Sequence, residues 1–154
     1  MKSKELLACM QNGRKTTSSK NISEKRIADV LISFLRNDNH VAREVRHYEK
    51  SIDVVTMALG GDELCTVEVK TRNWKKAFQQ AFVNLSVADK SYIAMHSKYV
   101  HRVNIEMLKK HSIGLYSVGS VWGDVELLEQ AGHSGYTNRI TNQRIKERMV
   151  GANK

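Results

Sequence analysis

Residues 51–70 read SIDVVTMALGGDELCTVEVK. Two stretches rich in Val, Ile, Thr and Leu, 52–59 and 64–70, flank Gly60-Gly61-Asp62-Glu63, the pattern of a β-hairpin. One arm carries Asp53, the other Glu68 and Lys70. Side chains alternate faces along a strand, so Glu68 and Lys70 share a face at roughly 6.8 Å. A two-residue turn at Gly60-Gly61 sets Asp53 opposite Glu68, with Cβ atoms about 5 Å apart. A four-residue turn sets Asp53 opposite Lys70, still on one face, whereas an odd-length loop without a bulge separates them. Two carboxylates facing each other among valines need a cation or a shared proton. Two hard oxygen ligands and a backbone carbonyl suit Mg²⁺, which keeps several waters and takes further ligands from substrate. The other reading is a solvated face bearing a Lys–Asp pair.

The surrounding periodicity supplies the rest of the architecture. Ile27, Val30, Leu31, Phe34 and Leu35 form a helical stripe over 23–36, capped by Asn21 or Ser23 and closed by Asn37-Asp38-Asn39. Residues 41–49 alternate loosely as a strand. After the hairpin, Trp74, Ala77, Phe78, Ala81, Phe82, Leu85 and Ala88 predict a helix over 74–88. Residues 91–96 read as a buried strand, 100–111 as a helix, 113–118 as a strand, and 120–128 as an edge strand. The segment after Gly132 is weakly periodic, either a short helix or unstructured. Strand–helix alternation after a three-stranded meander implies an α/β fold, a mixed central sheet flanked by helices.

At 154 residues, 41% hydrophobic and 27% charged, the chain fits one globular domain. The reading divides it into a basic segment 1–20, a core 21–130 and a basic tail 131–154. No apolar run approaches the ~20 residues that span a bilayer. Cys9 and Cys65 lack metal or disulfide spacing, and the six histidines lack ligand spacing. A cytoplasmic protein without membrane contact is expected. The formal charge of +9 favours polyanions, because neutralising phosphates releases counterions.

The set Glu24, Asp53, Glu68-Val69-Lys70 and the helix that follows resembles the PD-(D/E)XK nuclease superfamily, the fold of many restriction endonucleases and Holliday-junction resolvases. The likeness covers residues 22–118, with Ile52 in place of the proline before the aspartate. It implies a restriction-endonuclease-like αβββαβα(β) core. It also implies that Asp53, Glu68 and the Val69 carbonyl bind Mg²⁺, with Mn²⁺ as a substitute, and that Lys70 assists catalysis. Glu24 would hold a second metal or orient Lys70; otherwise it belongs to a capping box. Gln80, on the flank of the second helix, would reach the active site or remain an ordinary surface glutamine.

For nucleic-acid contact the residues expected are Arg72, Asn73, Lys75 and Lys76 after the motif strand, Arg43 in the first strand, and Arg139, Arg144, Lys146 and Arg148 near the C-terminus. Tyr92, Tyr116 and Trp122 read as core or edge residues rather than base-stacking platforms. The leading expectation is a Mg²⁺-dependent nuclease, with DNA ahead of RNA as substrate, on a fold whose members often work as homodimers. The alternatives are a non-cleaving nucleic-acid-binding module on the same fold and a basic assembly protein.

Overall fold

The computed structural model describes residues 22–152. The basic segment 1–20, the candidate cap Asn21, and Lys154 lie outside the described residues. Helix α1 (Glu24–Leu35) leads into β1 (Asn39–His47), β2 (Lys50–Ala58) and β3 (Leu64–Lys70). Then come α2 (Trp74–Asn84), β4 (Lys90–His96), a 3₁₀ turn at Val100–Arg102, α3 (Ile105–Lys110), β5 (Gly114–Val118), β6 (Val125–Glu129) and α4 (Arg139–Ala152). The fold is α/β, with one six-stranded sheet whose spatial order follows the chain. Its centre, β3–β4–β5, is parallel, while β1–β2, β2–β3 and β5–β6 are antiparallel. Among the described residues no helix is long and apolar enough to cross a membrane.

Ser23 caps α1, its hydroxyl accepting the Arg26 N–H at 3.1 Å. The buried stripe Ile27, Val30, Leu31 and Leu35 touches every strand, so the sheet curls around this helix. On the opposite face α2 covers β3 and β4 while α3 packs on β5, around a shared core of Ala77, Ala81, Ile93, Met95, Leu108 and Leu115. The strip over β1 and β2 is covered by α4, whose Ile145 and Met149 are each 2% exposed and pack on Val45, Ile52, Val55 and Met57.

The weakly periodic C-terminal segment is thus a packed helix of 14 residues. Only a narrow strip of it is apolar, which is why periodicity marks it poorly. Other spans are shorter than expected, among them the edge strand, which runs only Val125–Glu129 because Val121–Asp124 forms a turn. The second helix stops at Asn84, whose carbonyl accepts the Val87 and Ala88 N–H groups, and Leu85 and Ala88 are buried beyond its end. The helix expected over 100–111 is broken at Asn104, which caps α3 by accepting the Met107 N–H at 3.2 Å. The first strand ends two residues early, because Tyr48 and Glu49 form a tight hairpin with Tyr48 at φ 54°. That turn conformation favours glycine, so the sequence carries no sign of it.

Ile145→Ala should lower unfolding stability by about 2–5 kcal/mol, the cost of a large-to-small core change. Arg144→Ala, on the exposed side of the same helix, should change it by less than about 0.5 kcal/mol. Urea unfolding midpoints of the two variants check whether the C-terminal segment is core or appendage.

Candidate functional site

The β2–β3 register pairs Val54 with Val67 and Met57 with Leu64, the pairing that sets Asp53 against Glu68 one step further on. The ladder stops before that step. On its other side Asp53 lies opposite Glu44, which stands at φ 48°, and the β1–β2 ladder skips this position before resuming at Val45–Ile52. Strict alternation fails here as well: Val54 packs toward α1, whereas both Ile52 and Val55 pack on the α4 side. The strand therefore bends at Asp53 and turns its side chain toward β3. There Asp53 Oδ2 accepts the Val69 N–H at 2.8 Å. An extended strand directs the N–H and C=O of one residue to the same side, so the Val69 carbonyl faces the same gap.

Glu68 is 2% exposed. Its Oε1 accepts a hydrogen bond from Asn84 Nδ2 at 2.8 Å, and its Oε2 is buried without a hydrogen-bond partner. Burial, and then the neighbouring Asp53 carboxylate, push the Glu68 carboxyl up to about 8, while the Asn84 bond and the Lys70 charge pull the other way. Two acceptor oxygens meet here with nothing between them, an arrangement that a shared proton or a cation stabilises. Lys70, with a side chain only 14% exposed, donates from Nζ to Glu24 Oε2 at 3.4 Å. Thr71 Oγ1 donates to the Ile22 carbonyl at 3.2 Å, tying the end of β3 to the start of α1 and bringing Glu24 to Lys70.

Two clefts meet at the carboxylate pair. One, about 390 Å³, is lined by Lys50, Ser51, Glu68, Gln79, Gln80 and Asn84. Gln80 Oε1 is buried there without a partner, like Glu68 Oε2. The other, about 420 Å³, is lined by Glu24, Lys25, Arg43, Glu44, Asp53 and Val69. Among the described residues no three His, Cys, Asp or Glu side chains are grouped to hold a metal ion. A cation held here would have two carboxylates and the Val69 carbonyl from the protein. That oxygen set fits Mg²⁺ or Mn²⁺ better than a soft metal, and it requires further ligands from water or substrate.

The sequence-predicted residues divide into groups. Asp53, Glu68, Lys70 and Glu24 come together, and Gln80 shares the Glu68 cleft. Arg72, Lys75 and Lys76 are exposed at the start of α2, while the Asn73 side chain caps that helix by accepting the Lys76 N–H at 3.2 Å. Arg43 pairs with Asp29. Arg139 and Lys146 converge on Asp89 at 3.0 and 3.2 Å. Asp89 also accepts the Leu64 N–H, so this cluster sits at the end of β3 opposite Lys70. Arg148 donates to the Arg46 carbonyl at 2.8 Å, and Arg144 is exposed. Asn84 was not singled out from sequence. Its one signal is spacing: it lies four residues after Gln80 and so on the same flank of α2.

No family model and no curated protein matches the chain. Among solved structures, SPO1766, a protein of unknown function from Silicibacter pomeroyi, aligns at TM-score 0.67 and 15% identity, over 86% of this chain and 87% of that one. SfsA of Pyrococcus furiosus in complex with Ca²⁺ aligns at TM-score 0.34 and 14% identity, over 75% of this chain and 62% of that one. The first likeness shows a shared fold, and the second is too slight to carry an argument.

Without divalent cations, stability should fall as pH rises from about 4.5 to about 8. Across that window the folded chain keeps a proton on Glu68 that the unfolded chain has released. The loss is on the order of 5 kcal/mol at most. Glu68→Gln should flatten this part of the profile, and a divalent cation that took the place of the proton would oppose the fall. Urea midpoints at both ends of the window, in EDTA and in Mn²⁺, measure all three effects.

Proposed function

We propose that this chain is a divalent-metal-dependent nuclease of the PD-(D/E)XK kind, hydrolysing phosphodiester bonds in nucleic acid, DNA ahead of RNA. The observation that carries the reading is the buried, unpartnered Glu68 Oε2 facing Asp53, with Lys70 two residues along the same strand. Keeping two carboxylates together inside a core is costly unless an ion or proton is bound there in function. A relic that only bound nucleic acid would have no need of this pair.

In this reading Asp53, Glu68 and the Val69 carbonyl would hold Mg²⁺, which supplies positive charge for the oxygens of the scissile phosphate when bound. Asn84 fixes Glu68 through Oε1 and leaves Oε2 for the ion. Lys70 brings a cation to the edge of the same pair and can steady a phosphate oxygen or orient an attacking water. Glu24 acts through Lys70 and sets where its ammonium rests. Arg72, Lys75 and Lys76 offer phosphate contacts beside the site. The formal charge of +9 supports a polyanionic substrate.

Purified protein should cut at least one of single-stranded, duplex, nicked or branched nucleic acid in Mg²⁺ or Mn²⁺ and none in EDTA. Glu68→Gln and Lys70→Ala should each reduce the rate at least about hundredfold, as loss of one transition-state contact does. Binding measured in EDTA should be largely kept. Cleavage in EDTA, or full activity in either variant, would refute the assignment.

A further inference from the structure

Trp122 is not a core residue: it is 55% exposed at the tip of the loop between β5 and β6. The loop is nevertheless held firmly. Asp124 N–H donates to the Val121 carbonyl at 3.0 Å, and Gly123, third in this turn, stands at φ 86°, the type II signature. Gly119 N–H donates to the Asp124 carbonyl at 2.7 Å. His96 Nε2 lies 3.0 Å from Ser120 Oγ, while its Nδ1 accepts the Lys98 N–H. The ring proton therefore sits on Nε2 and points at Ser120. In that tautomer the imidazole anchors the loop and cannot take the serine proton. From α1, Arg26 donates to the Ser120 carbonyl at 3.0 Å and lays its guanidinium 4.5 Å from the centre of the Trp122 ring. An indole is thus braced on one side and left open to solvent elsewhere.

Beside it runs a groove. A cleft of about 370 Å³ is lined by Asp29, Ser33 and Arg36 of α1, with Arg43 and Trp122 as walls. Arg43 also lines the Asp53 cleft, with Lys25 and Glu24 at the start of α1. The two clefts share that residue and together follow α1 from Arg36 and Trp122 to the carboxylate pair. Two acids along the way are engaged, Asp29 with Arg43 and Glu24 with Lys70. Glu44 and Asp53 are the acids in this groove without an ion pair among the described residues. Lys25, Arg26 and Arg36 face solvent.

We propose that this groove binds a single-stranded nucleic-acid segment, one base stacked on Trp122 and its backbone running along Arg36, Arg43 and Lys25 toward Asp53. A braced aromatic with exposed Arg36 and Lys25 along the groove beside it is chemistry that takes unstacked bases, whose faces a duplex keeps hidden. At ~1.5 Å per residue α1 spans about 18 Å, a length that accommodates a short run of an extended single strand. The inference rests on the nuclease reading only for what happens where the strand reaches Asp53.

Fluorescence anisotropy of labelled oligo-dT, oligo-U and duplex, all in EDTA, separates binding from cutting. Trp122→Ala should weaken single-strand binding roughly 5- to 150-fold, the value of one base–aromatic stack. Duplex binding and the circular dichroism spectrum should be unchanged, and Trp122→Phe should restore most of the affinity. Preference for oligo-dT or oligo-U identifies the strand as DNA or RNA, and either is consistent with the stack. Unchanged single-strand affinity in Trp122→Ala would overturn the proposal. So would an equal loss on duplex, or competition by poly-glutamate as strong as by oligo-dT, which marks a general anion patch. A wild-type chain that binds single strands through Trp122 but never cuts keeps this inference and removes the nuclease reading. Metal-dependent cutting with single-strand binding indifferent to Trp122 does the reverse.

Discussion

Two residues past the last β2–β3 pair, the Val69 amide donates to a side chain instead of to a neighbouring strand. That exchange keeps the sheet open at one point. A buried amide must be satisfied, and the Asp53 carboxylate satisfies it, so the strands can part without an orphaned donor. The parting leaves the Val69 carbonyl turned toward the gap and places Asp53 against Glu68. Asn84 completes the arrangement from the helix side by engaging one Glu68 oxygen and leaving the other unpartnered. Strain is visible at the same level of the sheet, where Glu44 holds a left-handed backbone opposite Asp53.

Much of this was legible before any coordinates. The apolar stripe from Ile27 to Leu35 specified α1, and the glycine pair marked the hairpin while leaving its register open among three turn lengths. What the sequence hid has physical causes. Period-2 reasoning assumes a flat, regular strand, and β2 is neither at Asp53, so the direction of that side chain could not be read from parity. Tyr48 occupies a turn position that glycine would advertise. Asn84 is one amide at the end of a helix, and nothing local distinguishes a surface asparagine from one buried against a carboxylate. Trp122 reads from the sequence as a core or edge residue. Its exposure depends on a turn and on an arginine that lies far away in sequence.

The basic excess also looks different in three dimensions. Net charge treats every lysine and arginine as available to a polyanion, but several are engaged within the fold. Arg139 and Lys146 neutralise Asp89, a nearly buried carboxylate that also caps the start of β3. Arg148 is bound to a carbonyl of β1. The cations left exposed include Arg72, Lys75 and Lys76 at the start of α2, Lys25 and Arg36 at the ends of α1, and Lys50 in β2. Of these, Lys25 lines the cleft beside Asp53, and Lys50 lines the cleft beside Glu68.

The position of α4 has a consequence for how the chain reaches its native state. Strands β1 and β2 come early, yet the helix that covers their apolar strip is the last element described. Until α4 docks, Val45, Ile52, Val55 and Met57 present a hydrophobic face beside an open sheet edge, the kind of surface on which nascent chains associate. The Asp89 cluster counters this hazard by charge. Asp89, held by the Leu64 amide, gives two cations of a segment with little hydrophobic pattern of its own a fixed counter-charge that can guide docking electrostatically. High salt, which screens such guidance, should therefore favour aggregation during refolding more than it destabilises the finished fold.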